Sequence, residues 1–385
     1  MESERTIQAA MVVAGADYLL RVPRNGKVDR LGPRSSGVSP DRSPRLRRTS
    51  VVRWNGARKE RMMVPPAAER KSGAAPVSVR PLGEADLDGA DEICRVAFGT
   101  FLGAPDPFGT VDYVRTRWAA DPQAAFAATV EGEVVGSNFA ANWGSVGFFG
   151  PLTVRPDLWD QGIGRRLMEP VIDCFDAWGN RHLGLFTFAH SPKHLELYRR
   201  YGFWPRFLTA IMKKQVTEGA AVPGRVLYGE LPAAERPDAL SLCRTLTGAV
   251  YEGLSLEREI VAAHAQGLGD TILLHGAGSE LDGLAVCHCG AGSEAGVDVC
   301  FIKFGAVRPG PEAADRFERL LDACERLAAE RGLGQLDAGM NLGRPDAYRR
   351  MIHRGFRTWL QGVTMHRPNE PGYSHPDAYV IDDWR

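Results

Sequence analysis

The reading of the fold turns on one stretch, Val154-Arg155-Pro156-Asp157-Leu158-Trp159-Asp160-Gln161-Gly162-Ile163-Gly164-Arg165-Arg166-Leu167-Met168. The apolar run ending in Thr153-Val154 predicts a strand, and two glycines close the loop after it. Beyond the loop, Ile163, Leu167, Met168, Val171, Ile172 and Phe175 recur at helical spacing. The first N–H groups of a helix have no intrahelical partner, and glycine removes the Cβ that would keep a ligand oxygen from them. An anion, and in particular a phosphate, is therefore expected at this helix start.

Upstream of this stretch, the pattern predicts a strand over 77–82, a helix from 84 on and a second helix over 111–118. Strands over 126–130 and 133–141 follow, joined by the tight hairpin signal Glu131-Gly132. The strand over 147–154 leads through the glycine loop to a helix ending near 178, and a continuous apolar strand covers 183–189. A short helix over 192–200 opens on a proline, and a last strand covers 203–213. The segment 147–189 thus reads as strand, crossover helix and parallel strand of one sheet.

The second half of the chain repeats the first. Val154-Arg155-Pro156 recurs as Val307-Arg308-Pro309, and Gly202-Phe203 recurs as Gly355-Phe356, both at an offset of 153 positions. One offset at two distant places, in the same order, points to a duplicated domain. The expected bounds are 76–216 and 225–367, with a small-residue linker over 217–224 and a C-terminal tail over 368–385. The copies differ where chemistry belongs. After Val307-Arg308-Pro309 the chain enters a long helix with no second glycine pair, and Met351 stands where the first copy has Tyr198.

Composition narrows the remaining classes. The formal net charge is zero over 385 residues, which gives no general pull toward nucleic acid or membrane, and no apolar run is long enough to span a bilayer. Residues 1–75 carry about nine more basic than acidic side chains and are rich in Pro, Ser and Gly. We read them as disordered, with a basic nucleic-acid arm and a translation start near Met62 or Met63 as alternatives. The seven cysteines lie scattered in apolar segments, as expected of free thiols in a reducing cytoplasm. Cys287-His288-Cys289 alternates across a strand, so both cysteines should face one side and the histidine the other, which argues against a metal site.

The combination of Val-x-Pro strand end, Gly-x-Gly loop, crossover helix, apolar strand and Leu197-Tyr198-Arg199-Arg200-Tyr201-Gly202-Phe203 resembles the GNAT superfamily of acyl-CoA-dependent N-acyltransferases. The resemblance covers the first copy whole, and the other copy resembles a degenerate member. A dinucleotide-binding fold would also use a glycine loop, but it needs that loop after the first strand of a parallel sheet, not after hairpin strands. The resemblance implies two tandem α/β (α+β) domains, each a mixed, mostly antiparallel sheet with helices on both faces. It implies acetyl-CoA as co-substrate, no metal, and a small-molecule or peptide amine as acceptor. A homodimer is compatible with it, and neither a membrane nor a nucleic-acid partner is expected.

Residue by residue, the resemblance gives the pyrophosphate to Gln161, Gly162, Ile163, Gly164 and Arg165, with the Arg165 and Arg166 side chains within reach. Trp159 replaces a usual Gln or Arg. The thioester carbonyl falls to backbone N–H groups of Leu152, Thr153 and Val154, and Ser191 stands where many members bind the pantetheine arm through asparagine. Tyr198 matches the tyrosine that protonates the departing thiolate, its alternative role being a core aromatic. His190 is a candidate base. The acceptor is expected beside Phe98, Phe101, Phe108, Asn138, Asn142 and Trp143. A non-catalytic acyl-CoA-binding or assembly module is the competing function.

Overall fold

The structure is a computed structural model, and it describes residues 76–217, 221–276 and 278–385. The readings of residues 1–75, and of positions 218–220 within the linker, lie outside the described residues.

The first half runs β1 (Val77–Pro81), α1 (Leu87–Leu102), α2 (Tyr113–Ala120), β2 (Ala125–Val130), β3 (Glu133–Trp143), β4 (Val146–Phe149), β5 (Thr153–Val154), α3 (Ile163–Trp178), β6 (His182–Thr187), α4 (Pro192–Arg199) and β7 (Trp204–Gln215). The second half repeats that order. It runs β8 (Arg225–Leu227), α5 (Arg236–Val250), α6 (Glu257–Ala265), β9 (Gly269–His275), β10 (Leu281–Gly290), β11 (Gly296–Val307), α7 (Ala313–Glu330), β12 (Gln335–Asn341), α8 (Pro345–His353) and β13 (Arg357–Arg367), then β14 (Val380–Ile381) in the tail. Most neighbouring strands are antiparallel; β4 with β6, and β11 with β12, are the parallel pairs that the two crossover helices join.

One expected strand is two. The run 147–154 breaks after Phe149 at a cis Gly150–Pro151 bond, and β5 then pairs with β3. Pro151 has no N–H with which to continue the ladder, which is reason enough for the break.

The halves share a single 14-stranded sheet in the order β1-β2-β3-β4-β6-β13-β7-β12-β11-β10-β9-β8. Their last strands are exchanged: β13, from the second half, lies between β6 and β7, and β7, from the first, lies between β13 and β12. Both halves belong to one compact unit. Beneath the first half, the apolar face of α3 (Ile163, Leu167, Met168, Val171, Phe175) packs with Phe149, Tyr198 and Phe203. A second core crosses the junction, where Trp143 and Phe148 meet Leu284, Phe304, Tyr373 and Trp384.

The tail is a built part of this junction. Trp384 is 4% exposed and lies against Gly184 of β6, where a Cβ would come within 2.1 Å of the indole. That glycine admits the indole because it has no side chain.

Candidate active site

The glycine loop adopts the conformation its residues allow. Gly162 is the N-cap of α3 with φ 79°, in the left-handed region that favours glycine, and a Cβ there would point into open space. Gly164 faces the strand and the following helix: a Cβ on it would lie 3.5 Å from Leu152 and 3.7 Å from Leu197. Strand, loop and α4 therefore converge around the start of α3, and the residues suit a phosphate approaching the helix N-terminus.

Trp159 anchors this loop, donating from Nε1 to the Val154 carbonyl at 2.7 Å. Lys193 of α4 lies over the Trp159 ring and pairs with Asp160 at 2.6 Å. Sequence reasoning misses these tethers; the departure at Trp159 is their one visible signal.

The cleft beside the loop follows from strand pairing. β4 and β6 stay paired only as far as Phe148↔Gly184, while β6 runs on to Thr187. Arg155 donates its N–H to the Val135 carbonyl on the β3 edge at 2.8 Å. N–H groups alternate between the two edges of a strand, so Thr153 also faces β3, and Val154 presents its own to the opposite edge, where β6 has parted. Of the three residues expected at the thioester, Thr153 and Val154 form β5 and Leu152 lies just before it.

Tyr198 sits on α4 with its ring packed edge to face on Phe149, centroids 5.6 Å apart, next to the strand break. It is buried, and burial alone holds its phenol well above the ordinary value, so the group stays protonated through the neutral range. Ser191 is buried at the N-cap of α4, its hydroxyl accepting from the His194 N–H at 3.4 Å, a capping role. The two arginines part company: Arg165 is exposed beside the loop, whereas Arg166 donates to the Val77 carbonyl on β1, the other flank of α3.

The expected acceptor group divides. Phe98, Phe101 and Phe108 do gather, with Phe188 and the exposed His190, which stacks on Phe101 at 5.6 Å. Asn138 points instead to the Leu167 carbonyl of α3, Asn142 caps a turn at Gly144, and Trp143 is buried at the junction with its indole on Glu259. A stretch of alternating polar and apolar residues does not reveal which neighbour each face meets, and here those faces meet α3 and the second half.

In the second half, Cys289 and Cys300 sulfurs lie 3.8 Å apart and Cys287 neighbours Cys300 and Cys324, while His288 faces Glu259 on the other side of the strand. The cleft of this half is filled. β11 and β12 pair as far as Ile302↔Ala338, and where they part β14 adds to β11 through Gly305↔Ile381 and Ala306↔Val380. Val307 donates to the Tyr379 carbonyl at 3.3 Å. Gly305, Ala306 and Val307 are the counterparts, at the offset of 153, of Leu152, Thr153 and Val154. Arg344, counterpart of Ser191 at the same offset, grips the inserted segment through the Val380 carbonyl at 2.9 Å and Asp382 at 2.8 Å.

Residues 92–203 match the model of the acetyltransferase (GNAT) family. This segment is a GNAT domain. Among solved structures, a protein of Pyrococcus horikoshii assigned to the acetyltransferases superposes with a TM-score of 0.57 at 13% identity, over 80% of this chain and 95% of its own. The glucosamine N-acetyltransferase region of a fungal multi-domain GH3 β-N-acetylglucosaminidase superposes with a TM-score of 0.52 at 13% identity, over 77% of this chain and 38% of that one. A tandem GNAT protein from the clavulanic acid biosynthesis pathway covers 76% of this chain and 98% of its own at 13% identity, with a TM-score of 0.46. No curated protein matches the chain in sequence. At such identities the structural likenesses speak to the fold alone, and the first of them extends over both halves of this chain. Among the described residues no helix is long and apolar enough to cross a membrane.

Proposed function

We propose that the first half transfers an acetyl group from acetyl-CoA to a primary amine by direct attack in a ternary complex. The observation that carries this reading is the filled cleft of the second half. There the counterparts of Leu152, Thr153 and Val154 hold an extended peptide segment by its amides, and the pantetheine arm of an acyl-CoA is likewise an extended chain with two amides. Where no tail is inserted, the N–H edge of Leu152 and Val154 serves the substrate.

In this mechanism the backbone N–H groups of Gln161, Gly162, Ile163, Gly164 and Arg165 hold the pyrophosphate, with the Arg165 side chain beside them. The amine nitrogen attacks the thioester carbonyl carbon. The Val154 and Leu152 N–H groups stabilise the oxyanion, each such donor contributing a factor of about 10² to 10³. As the carbon–sulfur bond breaks, Tyr198 gives its proton to the leaving thiolate, and the new amide loses its surplus proton to solvent or to His190. No covalent acyl-enzyme forms; buried Cys94, its thiol pushed up to about 12 by burial, is no nucleophile.

The test is incubation of the protein with acetyl-CoA and a broad amine panel, following free thiol release and acetylated products by mass spectrometry. Thiol release that depends on an amine is the expected result. Binding of acetyl-CoA without release would instead mean an acyl-CoA-binding module.

A further inference from the structure

Arg117 is a buried cation with an unusual set of partners. It belongs to α2 of the first half and is 8% exposed. Its guanidinium donates to the Gly150 carbonyl, at the break between β4 and β5. It also holds both carboxylate oxygens of Glu294, at 3.0 and 3.3 Å, from the turn before β11. Its third partner is the backbone carbonyl of Arg385, at the end of the tail. Glu294 is fixed in turn by Lys303 at 2.8 Å, and Lys303 by Glu259 at 2.9 Å. Burial alone would raise the Glu294 carboxyl, but Arg117 and Lys303 hold it well below the usual carboxylate range, so Glu294 stays ionised at neutral pH.

The placement gives this cluster a use beyond stability. The Gly150 N–H donates to the Phe139 carbonyl at 2.9 Å and its carbonyl accepts from Arg117, so the residue that precedes Pro151 is held at both its N–H and its carbonyl. Two residues further on lies Leu152, whose N–H the acetyl-CoA reading assigns to the thioester. We propose that Arg117 is a positioning residue for the substrate-binding strand, held in place by Glu294 and by the C-terminal carbonyl. The second half and its tail, though without a glycine loop of their own, thereby set the edge that binds the pantetheine and thioester of the first. The proposal rests on the acetyl-CoA reading above. It needs the planar fork of arginine, since a lysine ammonium lacks the paired, fixed donors.

The experiment compares two probes by calorimetry on the full chain: acetyl-CoA, and its 3′-phosphorylated ADP fragment, which carries the pyrophosphate and no pantetheine. The proteins are the wild type, Arg117→Lys, the charge-free pair Arg117→Met with Glu294→Met, and a chain lacking Arg385. Folding is checked by thermal melting. Arg117→Lys keeps the ion pair with Glu294 and is expected to melt near the wild type. Its acetyl-CoA affinity should fall about five- to tenfold, as loss of one or two oriented hydrogen bonds implies, with fragment affinity unchanged. The Met pair should show the same split, and loss of Arg385 a smaller one. Unchanged acetyl-CoA affinity in a folded Arg117→Lys protein, or an equal loss for both probes, overturns the positioning role. A wild type that binds the fragment and acetyl-CoA equally well overturns the proposal and leaves the loop reading intact, whereas a wild type that binds neither removes the acetyl-CoA reading itself.

Discussion

The two clefts of this chain were built on one plan and ended in opposite conditions. In the first, β4 and β6 part after Phe148↔Gly184. In the second, β11 and β12 stay together one residue longer, and the edge beyond is taken by Val380 and Ile381 of the chain's own tail. Ser191, which caps a helix, has Arg344 as its counterpart, fully buried and clamped on the inserted segment. Tyr198 has Met351, buried in the core of the second half. A splayed strand pair leaves backbone groups that must find partners. On the proposed reading one half reserves them for acetyl-CoA, and the other satisfies them from within.

The strongest way to break this contrast is at Tyr198. Tyr198→Phe removes the proposed proton donor and little volume, and is expected to lower kcat about 10²- to 10⁴-fold with KM for acetyl-CoA nearly unchanged. An unaltered rate would make the tyrosine a core aromatic like Met351, and the two halves more alike than proposed. Next in size is the clamp. Arg344→Ala leaves the Asp382 carboxylate buried without its cation, which costs about 3 to 5 kcal/mol of stability by urea unfolding. Replacing both partners, as Arg344→Met with Asp382→Leu, should recover most of that loss. If the single change is nearly silent, the tail does not seal the second cleft.

The smallest effect sharpens the seam between the halves. His182 of β6 and His366 of β13 contact each other at 3.0 Å across the exchanged strands. Burial lowers both, to about 4 and about 3, the more so for His366 through His182 and for His182 through Arg206. The unfolded chain takes up these protons first, so the stability they represent is complete above about pH 6.5 and declines as pH falls toward the folded values. The expected slope is up to about 1.4 kcal/mol per pH unit for each histidine. Asp337, raised to about 6 by burial, works in the opposite sense below that pH. The comparison of urea unfolding at pH 7.5 and 5 should therefore use the difference between wild type and His182→Gln with His366→Gln. A wild type no more acid-sensitive than the variant would show that the pair does not tie the halves together.

Much of this was legible from local pattern. The crossover from β4 through α3 to β6 follows from apolar spacing and two glycines, and the duplication from a constant offset. What escaped had non-local causes. The exchange of β7 and β13 is a choice of partner, and two strands with the same alternation give no sign of which neighbour each will take. The tail offers one short apolar run, Ala378-Tyr379-Val380-Ile381, of which only Val380–Ile381 is strand, and its burial depends on a groove made elsewhere. Asn142 and Trp143 resembled acceptor contacts because they follow β-patterned residues, but Trp143 is covered by a half of the molecule that begins about eighty residues later. Arg117 carried no signal, since its partners lie 33, 177 and 268 positions away.

The exchanged strands also bear on how the protein comes into being. The ribosome completes β7 long before it reaches Arg357, where β13 begins. At typical rates of elongation the interval is on the order of ten seconds. Throughout it, β6 lacks the strand that borders it in the folded chain, so the nascent first half is a vulnerable intermediate that could pair with another chain. Such a molecule has a birth order: the half made first is the half completed last, because its sheet waits for a strand from the other.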